Sequence, residues 1–220
     1  MKTIRIDKKL KELWPDACLG CIQCRVETKK TDEALLEAIQ ETERQMMETM
    51  QVSDIVKRPR IEATRGAYKA FGKEPSRYRN SAEAMHRRIL QGKGLYIVNN
   101  VVDGANLFSI RTGYALGAYD CSNIQGDILW KVAEEGECYK GIGKEEIKIE
   151  FLPVLFDEEG AFGNPTSDGT RTMITEKAEE VIVLVYGFSG KQDMEQQLEE
   201  LEEILRNYCS GTQFERVVLS

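Results

Sequence analysis

A chain of 220 residues, 41% hydrophobic and 30% charged, is long enough to bury a core and too apolar to stay disordered. Its longest apolar run, Val181 to Phe188, has eight residues, well short of the roughly 20 that a membrane-crossing helix needs. Thirty Lys and Arg against 37 Asp and Glu leave a net charge of -7, which argues against the broadly basic surface that would coat DNA.

The first ten residues carry charge throughout and lack the apolar stretch of a secretory signal, which points to a cytoplasmic protein without a membrane partner. Ala17 to Glu27 reads as a strand that places Cys18 and Cys24 on one face and Cys21 on the other. Ligands on opposite faces cannot close around one ion, so the expectation is buried thiols and no metal or other cofactor. A helix follows from Thr31 to Gln51, capped by Thr31 or Asp32, with Leu35, Ile39, Met46 and Met50 on one side. Ile61 to Phe71 reads as a second helix stopped by Gly72, and Ser81 to Leu90 as a third, with Ser81 as its N-cap and Gly92 closing it. Val98 to Thr112, ending at Gly113, suits a short buried helix.

Beyond Ala118 the texture changes to short β-type runs between turn residues: Ile128 to Val132, Ile147 to Phe151, Val154 to Phe156, Thr172 to Ile174 and Val181 to Phe188. An amphipathic helix from Asp193 to Tyr208 closes the pattern. With no internal repeat or linker, residues 1–220 are expected to form a single α+β domain, its sheet mostly antiparallel with flanking helices.

Charge is unevenly spread. Lys57 to Lys93 holds 11 Lys and Arg against three Glu, a local excess of +8 that suits an anionic partner smaller than bulk DNA. His86, the one histidine, reads as a surface residue of the third helix. Gly141-Ile-Gly143-Lys144 lacks the glycine spacing of a phosphate loop and is followed by Glu, so nucleotide hydrolysis has no support. Two polar sets stand out in apolar surroundings. Asp103 and Asn106 must be satisfied within their helix or by a ligand, and Thr166-Ser-Asp-Gly-Thr-Arg-Thr172 is either a solvated hairpin or a loop that grips an amino acid or sugar.

The ordered motifs Arg87-Arg88, Val101-Val-Asp-Gly-Ala-Asn106, Gly113-Tyr-Ala-Leu-Gly-Ala-Tyr-Asp120, Ile124-Gln-Gly-Asp-Ile128 and Ala133-Glu-Glu-Gly-Glu137 resemble the B3/B4 domain of the bacterial phenylalanyl-tRNA synthetase beta subunit. Upstream, Arg65 to Ser81 is similar to the stand-alone proteins built on that domain, and the likeness is clearest over residues 60–190. The resemblance implies a B3/B4-like α+β fold around a pocket that, in the synthetase, removes tyrosine wrongly esterified to tRNA. It therefore implies a deacylase acting in trans on mischarged aminoacyl-tRNA or, alternatively, a non-catalytic module binding an amino acid or the tRNA acceptor end. Asn106 and Thr172 would then position the substrate, and Asp168 would orient water or meet an ammonium. Arg171, with Thr170, Ser81 and Asp120, would line the pocket, and Lys73, Arg77, Arg79, Arg87 and Arg88 would face tRNA. Two positions depart from the synthetase pattern: a histidine is replaced by Gly117, and a Gly-Gly-Glu loop aligns with Asp168-Gly-Thr170. A different amino acid, or binding without chemistry, is the consequence to expect.

Overall fold

The computed structural model describes residues 1–143 and 145–220, so Lys144 of the Gly141–Lys144 stretch lies outside the described residues. Strand β1 (Ile4–Ile6) and helix α1 (Lys8–Leu13) lead into β2 (Cys18–Arg25) and α2 (Glu33–Thr49), followed by α3 (Pro59–Ala70), α4 (Ser81–Leu90) and α5 (Asn100–Thr112). Then come β3 (Ala115–Asp120), β4 (Ile128–Val132), β5 (Cys138–Tyr139), β6 (Ile147–Lys148), β7 (Pro153–Asp157), β8 (Gly160–Gly163) and β9 (Glu180–Gly187). Helix α6 (Met194–Cys209) and β10 (Thr212–Leu219) complete the α+β fold.

The central sheet runs in the order β10-β2-β9-β3 and is antiparallel throughout. A second sheet, β1-β4-β7-β8, is antiparallel except for the parallel β1–β4 pair. Strands β2 and β9 are buried on both faces, which is why their sequences read as near-continuous apolar or small residues without polar alternation. On one face, Cys18, Ile22, Cys24, Leu116, Val183 and Val185 pack against the apolar stripes of α2, α5 and α6. On the other, Leu19, Cys21, Tyr119, Leu184 and Tyr186 meet Trp130, Leu155 and Phe162 of the second sheet, with α1 and α3 alongside. The early cysteines are therefore split between two cores, and burial lifts the Cys18 thiol to about 11 and those of Cys21 and Cys24 to about 12.

Helix starts follow local side-chain chemistry. Asp32 accepts from Leu35 N at 3.0 Å to cap α2, and Asn99 accepts from Val102 N at 3.0 Å to cap α5. The cap of α4 is Asn80, which accepts from Glu83 N at 2.9 Å, so Ser81 is the first helical residue and not the cap. At the other end of α5, Arg58 donates to the Arg111 carbonyl at 2.8 Å and Arg60 to that of Thr112 at 2.7 Å. Two cations of the basic stretch are thus spent on a helix C-terminus.

Two expected strands are revised. Ile147 to Phe151 pairs only over Ile147–Lys148, because the chain turns at Leu152 and Phe151 adopts φ 63°. Thr172 to Ile174 contributes a single bridge, Met173 to Tyr119. His86 is also revised: it is fully buried, its Nδ1 bonded to the Ala82 carbonyl and its Nε2 2.7 Å from Arg58. Burial first, and the Arg58 charge second, lower its pKa to about 4, so it stays neutral and accepts from the guanidinium.

Candidate nucleic-acid interface and the neighbouring Asp168 cluster

Helix α4 and the segments flanking it bring Arg77, Arg79, Arg87, Arg88 and Lys93 around one groove of about 420 Å3, with Ala84, Gln91 and Thr166 completing its walls. Among the described residues no carboxylate lines it. Beneath the surface lies Glu83, fully buried one helical turn from both Arg79 and Arg87. It meets Arg65 Nη1 at 2.9 Å, Arg87 Nε at 3.0 Å and Arg79 Nε at 3.8 Å. Because Arg79 and Arg87 approach through Nε, their Nη groups have no protein partner among the described residues. One hidden carboxylate therefore holds the Arg65 and Arg87 guanidiniums by hydrogen bonds, draws Arg79 toward it, and leaves the groove with net positive charge.

Lys73 does not belong to this surface. It is only 5% exposed, donates to the Glu150 carbonyl at 2.6 Å and lies 4.0 Å from the centre of the Tyr78 ring. Burial lowers its pKa, and its role is to hold the turn after α3 against the β6–β7 connection.

The groove is bordered by the loop after β8. Thr166 bonds the Tyr68 hydroxyl at 2.8 Å, Ser81 N donates to the Pro165 carbonyl at 2.7 Å, and Asn164 accepts from Thr166 N and Ser167 N. Two residues on, half-buried Asp168 accepts from the Tyr119 hydroxyl at 2.6 Å, which itself lies 2.8 Å from the Tyr186 hydroxyl. Tyr139, bonded to the Ser167 carbonyl and to Asn164 Nδ2, closes the cluster. Desolvation raises Asp168 from 3.8 to about 7, outweighing the Tyr119 hydrogen bond. The tyrosines are pushed upward by the same burial and remain neutral donors.

Gly117 and Gly163 make room for this arrangement. A Cβ at Gly117 would sit 1.9 Å from the Tyr119 hydroxyl, and one at Gly163 2.1 Å from it. Gly117 is thus one of the two positions on which the Tyr119 phenol depends for space.

The other expected pocket residues do not converge on Asp168. Asn106 is half-buried on α5, whose helix packs on the opposite face of the β3–β9 sheet. Arg171 forms a fork with both carboxylate oxygens of Asp157, at 2.7 and 2.9 Å, and also reaches the Asn123 carbonyl. Burial opposes ionisation of Asp157, but Arg171 and backbone N–H groups overcome it and hold that carboxyl low. Asp120 accepts from Ser122 N and Oγ and caps the turn Cys121–Asn123. Thr170 bonds the Lys140 carbonyl. Thr172 is fully buried, its carbonyl accepting from Asp120 N and its Oγ1 unpartnered among the described residues. Asp103 is satisfied within the protein, accepting from Thr31 Oγ1 before α2 at 2.5 Å and from Val98 N at 3.1 Å.

What the sequence reading missed was Glu83 and the tyrosines. Arg79, Glu83 and Arg87 stand at four-residue spacing, a signal for an ion-paired helix face. Tyr68, Tyr119, Tyr139 and Tyr186 are scattered, and only the tertiary fold gathers them.

The B3/4 domain pattern matches residues 63–209, more than half of the chain. The chain belongs to the B3/4 domain family. Among solved structures it is similar to an N-terminal fragment of the phenylalanyl-tRNA synthetase beta subunit from Pyrococcus horikoshii, with a TM-score of 0.50 and 18% identity. That alignment covers 98% of this chain and 53% of the other, so this chain spans about half the length of that relative. At this identity the likeness concerns the fold. No curated protein sequence matches.

Proposed function

We propose that the protein is an RNA-binding module whose groove along α4 receives the backbone of tRNA near its acceptor end. The observation that carries this reading is the groove itself: five cations, no lining carboxylate among the described residues, and a buried Glu83 that fixes the Arg87 guanidinium and draws Arg79 alongside it. Membership of a domain family also present in a tRNA synthetase supports tRNA over other polyanions. The test is salt-dependent binding of tRNA to the wild type and to a double variant, Arg77→Ala with Lys93→Ala, neither of which is ion-paired among the described residues. Each lost phosphate contact lowers the slope of log K against log salt by about one, so a drop of about two is expected. An unchanged affinity and slope would overturn the proposal.

A second reading, deacylation of a mischarged aminoacyl-tRNA, is favoured by one feature. Asp168 is half-buried, titrates near neutrality and lies two residues from the groove wall. A carboxylate in that state can take a proton from water attacking an activated ester or meet the ammonium of the esterified amino acid. Multiple-turnover release of amino acid from a panel of aminoacyl-tRNAs, abolished in Asp168→Asn, would establish it. A panel without turnover leaves the binding module.

A further inference from the structure

Beside the groove, the chain from Lys93 to Asn99 crosses the surface without helix or strand and carries Tyr96, which is 70% exposed. The next two residues, Ile97 and Val98, are exposed as well, so the ring belongs to an apolar run and is not a single scattered surface residue. Its backbone is nevertheless fixed: Leu95 N donates to Glu43 at 2.7 Å and Val98 N to buried Asp103 at 3.1 Å. One face of the ring is occupied. The Arg88 guanidinium lies 3.7 Å from its centre, and Arg88, which lines the groove, makes no ion pair among the described residues. The Arg88 fork also reaches the carbonyl of Lys93, another groove residue. Tyr96 thus stands at the edge of the cationic groove, held by one of the groove's own cations.

We infer that Tyr96, backed by Arg88, is a stacking platform for an unpaired nucleobase, so that the RNA taken by the groove is single-stranded where it passes this ring. This rests on the RNA-binding reading above and adds the strand state of the ligand to it. Phosphates bound along Arg77, Arg79, Arg87 and Lys93 bring bases within reach, and a flat ring offers its π-face to any base without selecting a sequence. A duplex keeps its bases stacked on one another and has only an end to offer. The neighbouring Ile97 and Val98, 49% and 59% exposed, extend the apolar surface on which an unstacked base can rest.

Fluorescence anisotropy over a series of salt concentrations tests this with a labelled unstructured RNA and a blunt-ended RNA duplex of equal phosphate number, on wild type, Tyr96→Ala and Tyr96→Phe. Tyr96→Ala should weaken single-strand binding by about 5- to 100-fold, leave duplex binding within about 2-fold and keep the salt slope. Tyr96→Phe should bind like wild type. Since the side chain is exposed, thermal melts of all three should coincide. If Tyr96→Ala binds both RNAs as wild type does, or loses both equally, the platform is wrong while the groove stands. If wild type binds neither RNA, the RNA-binding reading falls and the platform with it.

Discussion

Replacing Asp168 with Asn tests the physical heart of the tyrosine cluster. Asn keeps a carbonyl oxygen to accept from Tyr119 but cannot ionise. In the folded protein Asp168 titrates near 7, against 3.8 when unburied. Below about pH 4 both folded and unfolded chains hold this proton, and the group contributes nothing to the pH dependence. Between about 4 and 7 the folded state binds it and the unfolded state does not, so stability falls as pH rises, and above 7 the full penalty of a desolvated carboxylate is felt. Three pH units at about 1.4 kcal/mol each give an upper bound of about 4 kcal/mol. Asp168 is half-buried, so solvent screening reduces this to about 1 to 2 kcal/mol. For a chain of this size each kcal/mol moves Tm by about 2 to 4 °C. Melts of both proteins from pH 4 to 8 should therefore show the wild type losing roughly 2 to 8 °C relative to Asp168→Asn as pH rises. The difference between the proteins cancels the titration of every other group. A difference that stays constant across this range would refute a raised Asp168 and, with it, the proton-transfer role, leaving only the ammonium contact to support deacylation.

Other substitutions separate structure from recognition. Arg171→Met removes a forked pair with Asp157, a carboxylate with no side-chain exposure, and should cost about 2 to 4 kcal/mol in chemical denaturation while leaving RNA affinity unchanged; a stable variant with lost binding would return Arg171 to the ligand site. Gly163→Ala forces a methyl group against the Tyr119 phenol and should cost about 1 to 3 kcal/mol, non-additively with Tyr119→Phe; additive costs would mean that the two sites do not touch.

Legible in the sequence were helices with one apolar stripe and strands with a long apolar run, such as β9. Helix α2 shows its period through Leu35, Ile39 and Met46, and α6 through Leu198, Leu201 and Leu205. β3 was not legible, since Ala115-Leu-Gly-Ala-Tyr-Asp120 has two alanines and a glycine where a strand normally shows β-branched side chains, its glycine set by the tyrosine two residues on. β10 failed for another reason: as the edge of the central sheet it is half-exposed, and Thr212-Gln-Phe-Glu-Arg carries little apolar alternation. The candidate site divides similarly. A loop dense in polar residues was visible from Thr166 to Thr172, but which of them face a ligand depends on partners far along the chain. Asp157 claims Arg171, and Tyr119 claims Asp168.

The basic stretch shows why a charge count alone misplaces an interface. Of its 11 cations, Lys57 pairs with Asp54, Arg58 and Arg60 close the end of α5, Arg65 is bound to Glu83, Lys69 is exposed on α3 outside the groove lining, and Lys73 is buried. Those that line the groove are Arg77, Arg79, Arg87, Arg88 and Lys93, gathered on α4 and its flanks. On a chain of net charge -7 that concentration favours one mode of approach. An anionic ligand is repelled by the acidic helices and attracted only where the cations cluster, so charge complementarity acts more on orientation and encounter than on total affinity. Affinity must then come from short-range contacts at the groove, where preset guanidiniums and an exposed ring need little reordering on binding.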